Sequence, residues 1–302
     1  MDAVVEVENL RKVYGRTVAV DDVSFTVGRG EIFGLLGSNG AGKTTTVECI
    51  EGLRRPSGGN VRVLGCDPQS QAGDLAGRIG CQLQESRLPD HIKVWEALDL
   101  FAGITPGAAD WRLLMEQWGL TAKRGASFAS LSGGQRQRLF IALAFVSEPE
   151  IVFLDEMTTG LDPAARHVAW ELIETICERG TTVVLVTHFM DEAERLCDRV
   201  AVVDAGRIVA LDTPRGLVAR HAPTMRVAFS SAETDLEWLR AVPGVRDLTR
   251  CGLRVVVEGS GPLLALVAAE LVAHDIVPAD LRAEEPSLEE AFLMLTGHGV
   301  EE

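Results

Sequence analysis

Positive charge is what this 302-residue chain has least of. Lys and Arg total 29 against 44 Asp and Glu, a formal net charge of -15. Only Lys12, Lys43, Lys93 and Lys123 are lysines, and no basic stripe of any length occurs. That excludes the electrostatic footprint of a nucleic-acid binder and disfavours direct docking on an anionic lipid surface. Tyrosine occurs once, at Tyr14. The six cysteines form neither a CxxC pair nor a Cys/His cluster, so they read as idle thiols of a reducing compartment rather than as a disulfide framework or a zinc site. The longest apolar run, PLLALVAAELVAH, is too short to span a bilayer and contains Glu270. The opening stretch MDAVVEVENLRKVYG has acids where a leader needs bases. The expectation is a soluble chain that would need another protein to hold it at a membrane.

Apolar periodicity supplies the organisation. AVVEVENL and AVDDVSFTV alternate as paired strands, and EIFGLLG is a short buried strand running into a glycine loop. KTTTVECIEGL reads as a helix. From about Ser86 to Ser147 the pattern is mainly helical, broken at Pro89, Pro106 and Gly125. IVFLD and TTVVLVTH are continuous apolar strands with the helix PAARHVAWELIETICERG between them, the pattern of a parallel α/β sheet. RVAVVDAGRIVAL turns as a hairpin at Ala205 and Gly206. ARHAPTM reads as a linker, which divides the chain into domains at 1–221 and 222–302. The second domain reads β-α-β-β-α-β plus a closing helix, with DLEWLRAV as its first helix and VPADLRAEE as its last strand, the order of a small ferredoxin-like α+β unit.

The strongest chemical signal is GSNGAGKTT, which matches G-x-x-x-x-G-K-[ST] between a strand and a helix. Gly37, Ser38, Asn39, Gly40, Ala41 and Gly42 form a loop whose backbone N–H groups can curl around phosphates, aided by the helix dipole. Lys43 is placed to reach the β- and γ-phosphates, Thr44 to ligate Mg²⁺, and Thr45 closes the motif. In IVFLDE a hydrophobic strand delivers Asp155 to the Mg²⁺ shell and Glu156 to an attacking water. An isolated histidine is commonly structural. His188, however, ends another buried strand, and in an open parallel sheet strand carboxyl ends face the ligand, which assigns it to the γ-phosphate.

LSGGQRQR raises a separate question, because it offers a second glycine-rich helix start at Ser132, Gly133, Gly134 and Gln135. One nucleotide cannot easily use two phosphate loops from opposite sides of one subunit. Two copies arranged head to tail can, with two ATP molecules sandwiched between them.

Taken in order and spacing, GSNGAGKTT, LSGGQRQR, IVFLDE, TTGLDP and VTH resemble the ATP-binding-cassette family over about residues 4–221. The resemblance implies a P-loop NTPase fold: a RecA-like α/β core, an antiparallel β subdomain and a helical subdomain. It implies that Gly37–Thr45 is Walker A, that Asp155 and Glu156 complete Walker B, and that Ser132–Gln135 is the signature. It makes Gln84 of CQLQES the Q-loop glutamine, contributing to catalysis and the metal shell. It also places Gly160–Asp162 in the D-loop, makes His188 the switch histidine, and sets Tyr14 against adenine. Two positions depart from the family: Ser38 stands where proline is frequent, and Met157 replaces the proline usual after the Walker B glutamate. The ending EEPSLEEAFLMLTG resembles exporter ATPases of the ABC-2 type, including those similar to daunorubicin and multidrug resistance ATPases.

The expected activity is therefore ATP hydrolysis with Mg²⁺ by a homodimer. A separate polytopic ABC-2-type permease would export a drug, lipid or related compound, with this chain at the cytoplasmic face of the membrane. The competing expectation is a soluble cassette ATPase acting on nucleic acid or ribosomes. The acidic composition and the single cassette speak against it, and no nucleic-acid partner is expected.

Overall fold

The computed structural model describes residues 2–82, 87–105, 107–222, 224–284 and 286–297. Chain order begins β1 (Ala3–Tyr14), β2 (Thr17–Gly28), β3 (Ile32–Leu36), α1 (Lys43–Ile50), β4 (Gly58–Val63), α2 (Ala72–Leu75) and β5 (Ile79–Gln82). It continues α3 (Val94–Ile104), α4 (Trp111–Gln117), α5 (Gly133–Ala144), β6 (Ile151–Asp155), α6 (Pro163–Glu178), β7 (Thr182–Thr187) and α7 (Met190–Leu196). Then come β8 (Arg199–Asp204), β9 (Arg207–Asp212) and α8 (Pro214–His221). The remainder is β10 (Met225–Ser230), β11 (Val245–Cys251), β12 (Arg254–Gly259), α9 (Leu263–Ala273), β13 (Arg282–Glu284) and α10 (Leu288–Thr296). The chain divides into two compact units, residues 1–214 and 215–298.

The first unit is built on two sheets. β2-β1-β4 is antiparallel, and the alternation of β1 sends Val5, Val7 and Leu10 inward. The second sheet, β5-β6-β7-β3-β8-β9, is parallel except for its last strand. β3, β6 and β7 are buried at every position, which explains their unbroken apolar sequences. Phe25 of β2 stacks on Phe33 of β3 at 5.0 Å, within a shared apolar core. The helical stretch carries its own aromatic packing, with Trp118 over Phe145 at 6.0 Å and Phe128 edge-on to Phe140 at 5.6 Å. The expected hairpin turns at Ala205 and Gly206, both at positive φ, as a two-residue turn matched to strand twist requires.

The second unit has the sheet order β11-β12-β10-β13, antiparallel throughout, which is the strand order of a ferredoxin-like unit. α9 buries Leu263, Val267 and Leu271 with Val227, Phe229, Val255 and Val257 of the sheet. Arg226 of β10 pairs with Glu258 and with Glu290 of α10, which ties the closing helix to the sheet.

Three expectations change. DLEWLRAV forms only a 3₁₀ turn, Glu237–Ala241, because Pro243 forces Val242 into extended backbone (ψ 130°) before a longer helix can propagate. The last strand shrinks to Arg282–Glu284. Residues 219–221, read as linker, complete helix α8, and the division between the compact units falls after the first residue of that helix, between Pro214 and Arg215.

Candidate functional site

Strand β3 ends in the phosphate loop, and backbone geometry decides which residues the loop accepts. Gly42 has φ 99°, and a Cβ there would strike the carbonyl oxygen of Ala19. A Cβ on Gly37 would strike the carbonyl oxygen of Val203. The hairpin turn braces the loop from behind, with Gly206 N–H donating to the Ala41 carbonyl at 2.9 Å. Lys43 opens α1 almost wholly buried, and its ammonium donates to the carbonyls of Gly37 (2.8 Å) and Ser38 (3.0 Å). Burial pulls its pKa down, against the raising influence of Glu156 and Asp155.

Parallel pairing brings the acids to the same end of the sheet. Asp155 ends β6, buried, and burial pushes its pKa up to about 6 while the Thr44 hydroxyl hydrogen-bonds its carboxylate. Its Oδ1 is shut off from solvent and carries no hydrogen bond among the described residues. An orphaned carboxylate oxygen beside a threonine hydroxyl is a donor set suited to a hard cation such as Mg²⁺.

Glu156 follows at φ 50°, a left-handed conformation uncommon for a residue with a side chain. It is anchored by its own N–H, which donates to the Val186 carbonyl of β7 at 2.9 Å. The turn swings its carboxylate toward the end of β7, where Oε1 lies 3.1 Å from His188 Nδ1. Met157 is fully buried beneath this turn, so the departure from proline fills core without removing a polar ligand.

Tyr14 closes β1 partly exposed rather than buried as a core aromatic. Lys12 Nζ lies 5.0 Å and Arg54 Cζ 5.6 Å from its ring centre. The second glycine loop differs from the first. Ser132 is exposed and caps α5, accepting from Gln135 N–H at 3.3 Å, while the Gln135 side chain accepts from Ser132 N–H at 3.1 Å. Asp162 caps α6 in the same way, accepting from Ala165 N–H at 2.8 Å.

Lys43, Thr44, Asp155, Glu156 and His188 thus converge. Gln84 lies outside the described residues. The sequence reading missed two buried acids near the site. Glu51, the residue after α1, has its pKa pushed up to about 8 by burial. Glu192, in the first turn of α7, is fully buried. Glu192 falls four residues after His188 in THFMDEAE, but an acid in a first helical turn reads equally as a solvated dipole partner.

Residues 20–159 match the ABC transporter family. Across nearly the whole chain, similarity runs to ATP-binding subunits of such transporters. The chain is 36% identical to a Nod factor export ATP-binding protein I from Ralstonia nicotianae, covering 97% of this chain and 94% of that one. It is 40% identical to the protein of the same name from Cupriavidus metallidurans, covering 98% of each. It is 34% identical to the linearmycin resistance ATP-binding protein LnrL of Bacillus subtilis, covering 97% and 98%. Among solved structures, an ATP-binding subunit of an ABC transporter matches at TM-score 0.66 and 29% identity, covering 72% of this chain and 93% of that one. A dimeric ATP-binding cassette bound to ADP and phosphate matches at TM-score 0.64 and 25% identity, covering 69% and 98%. The fold is that of the ABC ATPases. The chain belongs to the ATP-binding subunits of ABC transporters, enzymes that bind and hydrolyse ATP.

Proposed function

We propose that this chain powers export of a drug- or lipid-like compound through a separate ABC-2-type permease, as a homodimer at the cytoplasmic face of a membrane. The observation that carries the chemistry is the pair of strand ends. Glu156 at positive φ meets His188 at 3.1 Å, at the same sheet end as Lys43, Thr44 and Asp155.

In this reading Gly37–Thr45 wrap the phosphates. Lys43 exchanges its two carbonyl partners for phosphate oxygens, a gain for a cation whose charge burial disfavours. Thr44 and Asp155 hold Mg²⁺, with Gln84 completing the shell. When bound, that ion neutralises charge on the phosphates. Glu156 orients and deprotonates the attacking water, an effect worth roughly 10²–10⁴ in rate. His188 steadies the Glu156 carboxylate and reaches the γ-phosphate. Tyr14 stacks on adenine with its outer face, worth roughly 1–3 kcal/mol by analogy with base stacking.

The exposed Ser132–Gln135 loop supplies the opposite wall of the site from a second copy, so ATP closes the dimer and hydrolysis reopens it. The relatives named for Nod factor export and linearmycin resistance support export as the direction. Among the described residues no helix is long and apolar enough to cross a membrane, which supports a separate permease. The helical stretch after Gln84 leaves Leu100, Ile104 and Leu113 exposed, an apolar surface suited to that permease. Residues 222–302 would serve as an accessory domain that stabilises or regulates the dimer.

The test traps Glu156→Gln with ATP in cells, solubilises the membranes and identifies what is retained. A polytopic membrane protein supports the reading. Ribosomes, DNA or soluble proteins alone would reject the transport role while leaving the ATPase intact.

A further inference from the structure

We propose that Glu192 is a positioning residue for ATP hydrolysis: its buried side chain on α7 ties Thr158, two residues beyond Glu156, to Thr187, the neighbour of His188, and so sets the distance across which Glu156 and His188 meet. The inference rests on the assignment of those two residues to turnover.

Glu192 has no solvent exposure. Trp170 Nε1 of α6 donates to its Oε1 at 3.0 Å, and the hydroxyls of Thr158 and Thr187 face the same carboxyl. Burial pushes its pKa up. The charge of Arg166, which pairs with Asp191 at 3.3 Å, acts in the opposite direction. Glu192 Oε2 and Thr158 Oγ1 are both shut off from solvent, and neither meets a hydrogen-bond partner at full bonding geometry among the described residues. The Thr158 hydroxyl is near enough to act on this carboxyl and can donate to it, while Oε1 accepts from Trp170. Thr187 Oγ1 already accepts from Phe189 N–H at 2.9 Å, which leaves its own proton for Glu192.

Each partner leads back to the site. Thr158 continues the strained turn that begins at Glu156. Thr187 is the last residue of β7, directly before His188. Phe189 lies against the His188 ring with centres 4.1 Å apart, and Arg166 of α6 covers it from 4.4 Å. The side chain of Glu192 faces the segment carrying Glu156, the segment carrying His188 and α6 at one point. A buried polar network of this kind holds geometry more tightly than apolar packing, and misplacing a reacting group by an ångström can cost about 10²-fold in rate.

The experiment measures phosphate release by the full chain over a range of ATP concentrations. Glu192→Gln keeps a polar group against each partner, its carbonyl accepting from Trp170 and its amide facing the threonine hydroxyls, and keeps kcat within about twofold of the parent. Glu192→Leu, of similar size but unable to pair, lowers kcat about tenfold or more while KM for ATP stays within about twofold. Thr158→Val lowers kcat in the same way, and combining it with Glu192→Leu adds little, as expected for two members of one network.

Wild-type kcat in Glu192→Leu, a matching rise in KM, or a Gln variant as damaged as the Leu variant overturns the proposal. If Glu192→Leu does not fold, Thr158→Val decides alone, with unchanged kcat the adverse result. Glu156→Gln run alongside separates the two ideas. Retained turnover there rejects the assignment of the site. Lost turnover there, together with normal kcat in Glu192→Leu, rejects only the positioning role.

Discussion

The chain carries two glycine-rich loops at helix starts, and they are finished to different degrees. At the two ends of the first loop the protein closes in: backbone carbonyls of Val203 and Ala19 stand where side chains on Gly37 and Gly42 would be, and Lys43 is buried against its own loop. Around Ser132–Gln135 the helix start satisfies itself through a reciprocal side-chain cap and stays exposed. A Cβ on Gly133 would meet nothing nearer than the Gly160 carbonyl oxygen at 3.7 Å. The difference teaches that small size serves two purposes. In the first loop glycine lets the chain pack on itself. In the second it leaves open space beside Gly133.

The largest expected effect breaks the comparison at the first loop. Lys43→Ala and Glu156→Gln each lower phosphate release by at least about 10²-fold, measured by a coupled phosphate assay. Unchanged hydrolysis in either variant removes the site assignment. Next, Ser132→Arg abolishes ATP-driven dimerisation in light scattering while ATP binding to the monomer stays within about twofold. A persisting dimer would mean that the exposed loop does not meet a second copy.

A smaller effect sharpens the contrast between the glycines. Gly42→Ala is strained by φ 99° and by the Ala19 carbonyl, and costs about 1–3 kcal/mol in denaturant unfolding along with ATP affinity. Gly133→Ala stays within about 0.5 kcal/mol of the parent. Equal losses at the two positions would erase the distinction.

The smallest effect concerns the buried acid behind the first loop. The Glu51 pKa stands at about 8, above its unfolded value, so the folded state holds an extra proton between about pH 4.5 and 8. The associated stability is full below that window and is lost as pH rises through it. Glu51→Gln removes the dependence. Its melting temperature relative to the parent therefore climbs by several degrees between pH 5 and pH 8 and then levels off. A difference independent of pH would place the Glu51 carboxyl in solvent.

Legibility in the sequence follows the range of the interactions. The phosphate loop, the helix start at Ser132, the strands β3, β6 and β7 and the turn at Ala205–Gly206 were all readable, because strand burial, turn chemistry and glycine punctuation are local patterns. DLEWLRAV was misread because its apolar spacing suits a helix while Pro243 limits how far one can run. Glu51 and Glu192 were not readable as buried acids. Two of the partners of Glu192, Trp170 and Thr158, lie 22 and 34 residues upstream on other elements, and a charged letter in a helix carries no mark of burial.

By itself the sequence determined the kind of chemistry: a lysine and threonine after a glycine loop, acids at the end of an apolar strand, and a second glycine loop at a helix start. Each of those is a statement about a few adjacent residues and the backbone they favour. The tertiary structure alone decided that Glu156 is turned toward His188, that one Asp155 oxygen lacks a partner among the described residues, and that Glu192 lies buried between two loops of the site. Those outcomes depend on parallel strands pairing across more than 30 residues of chain, and on burial, which no single segment can specify.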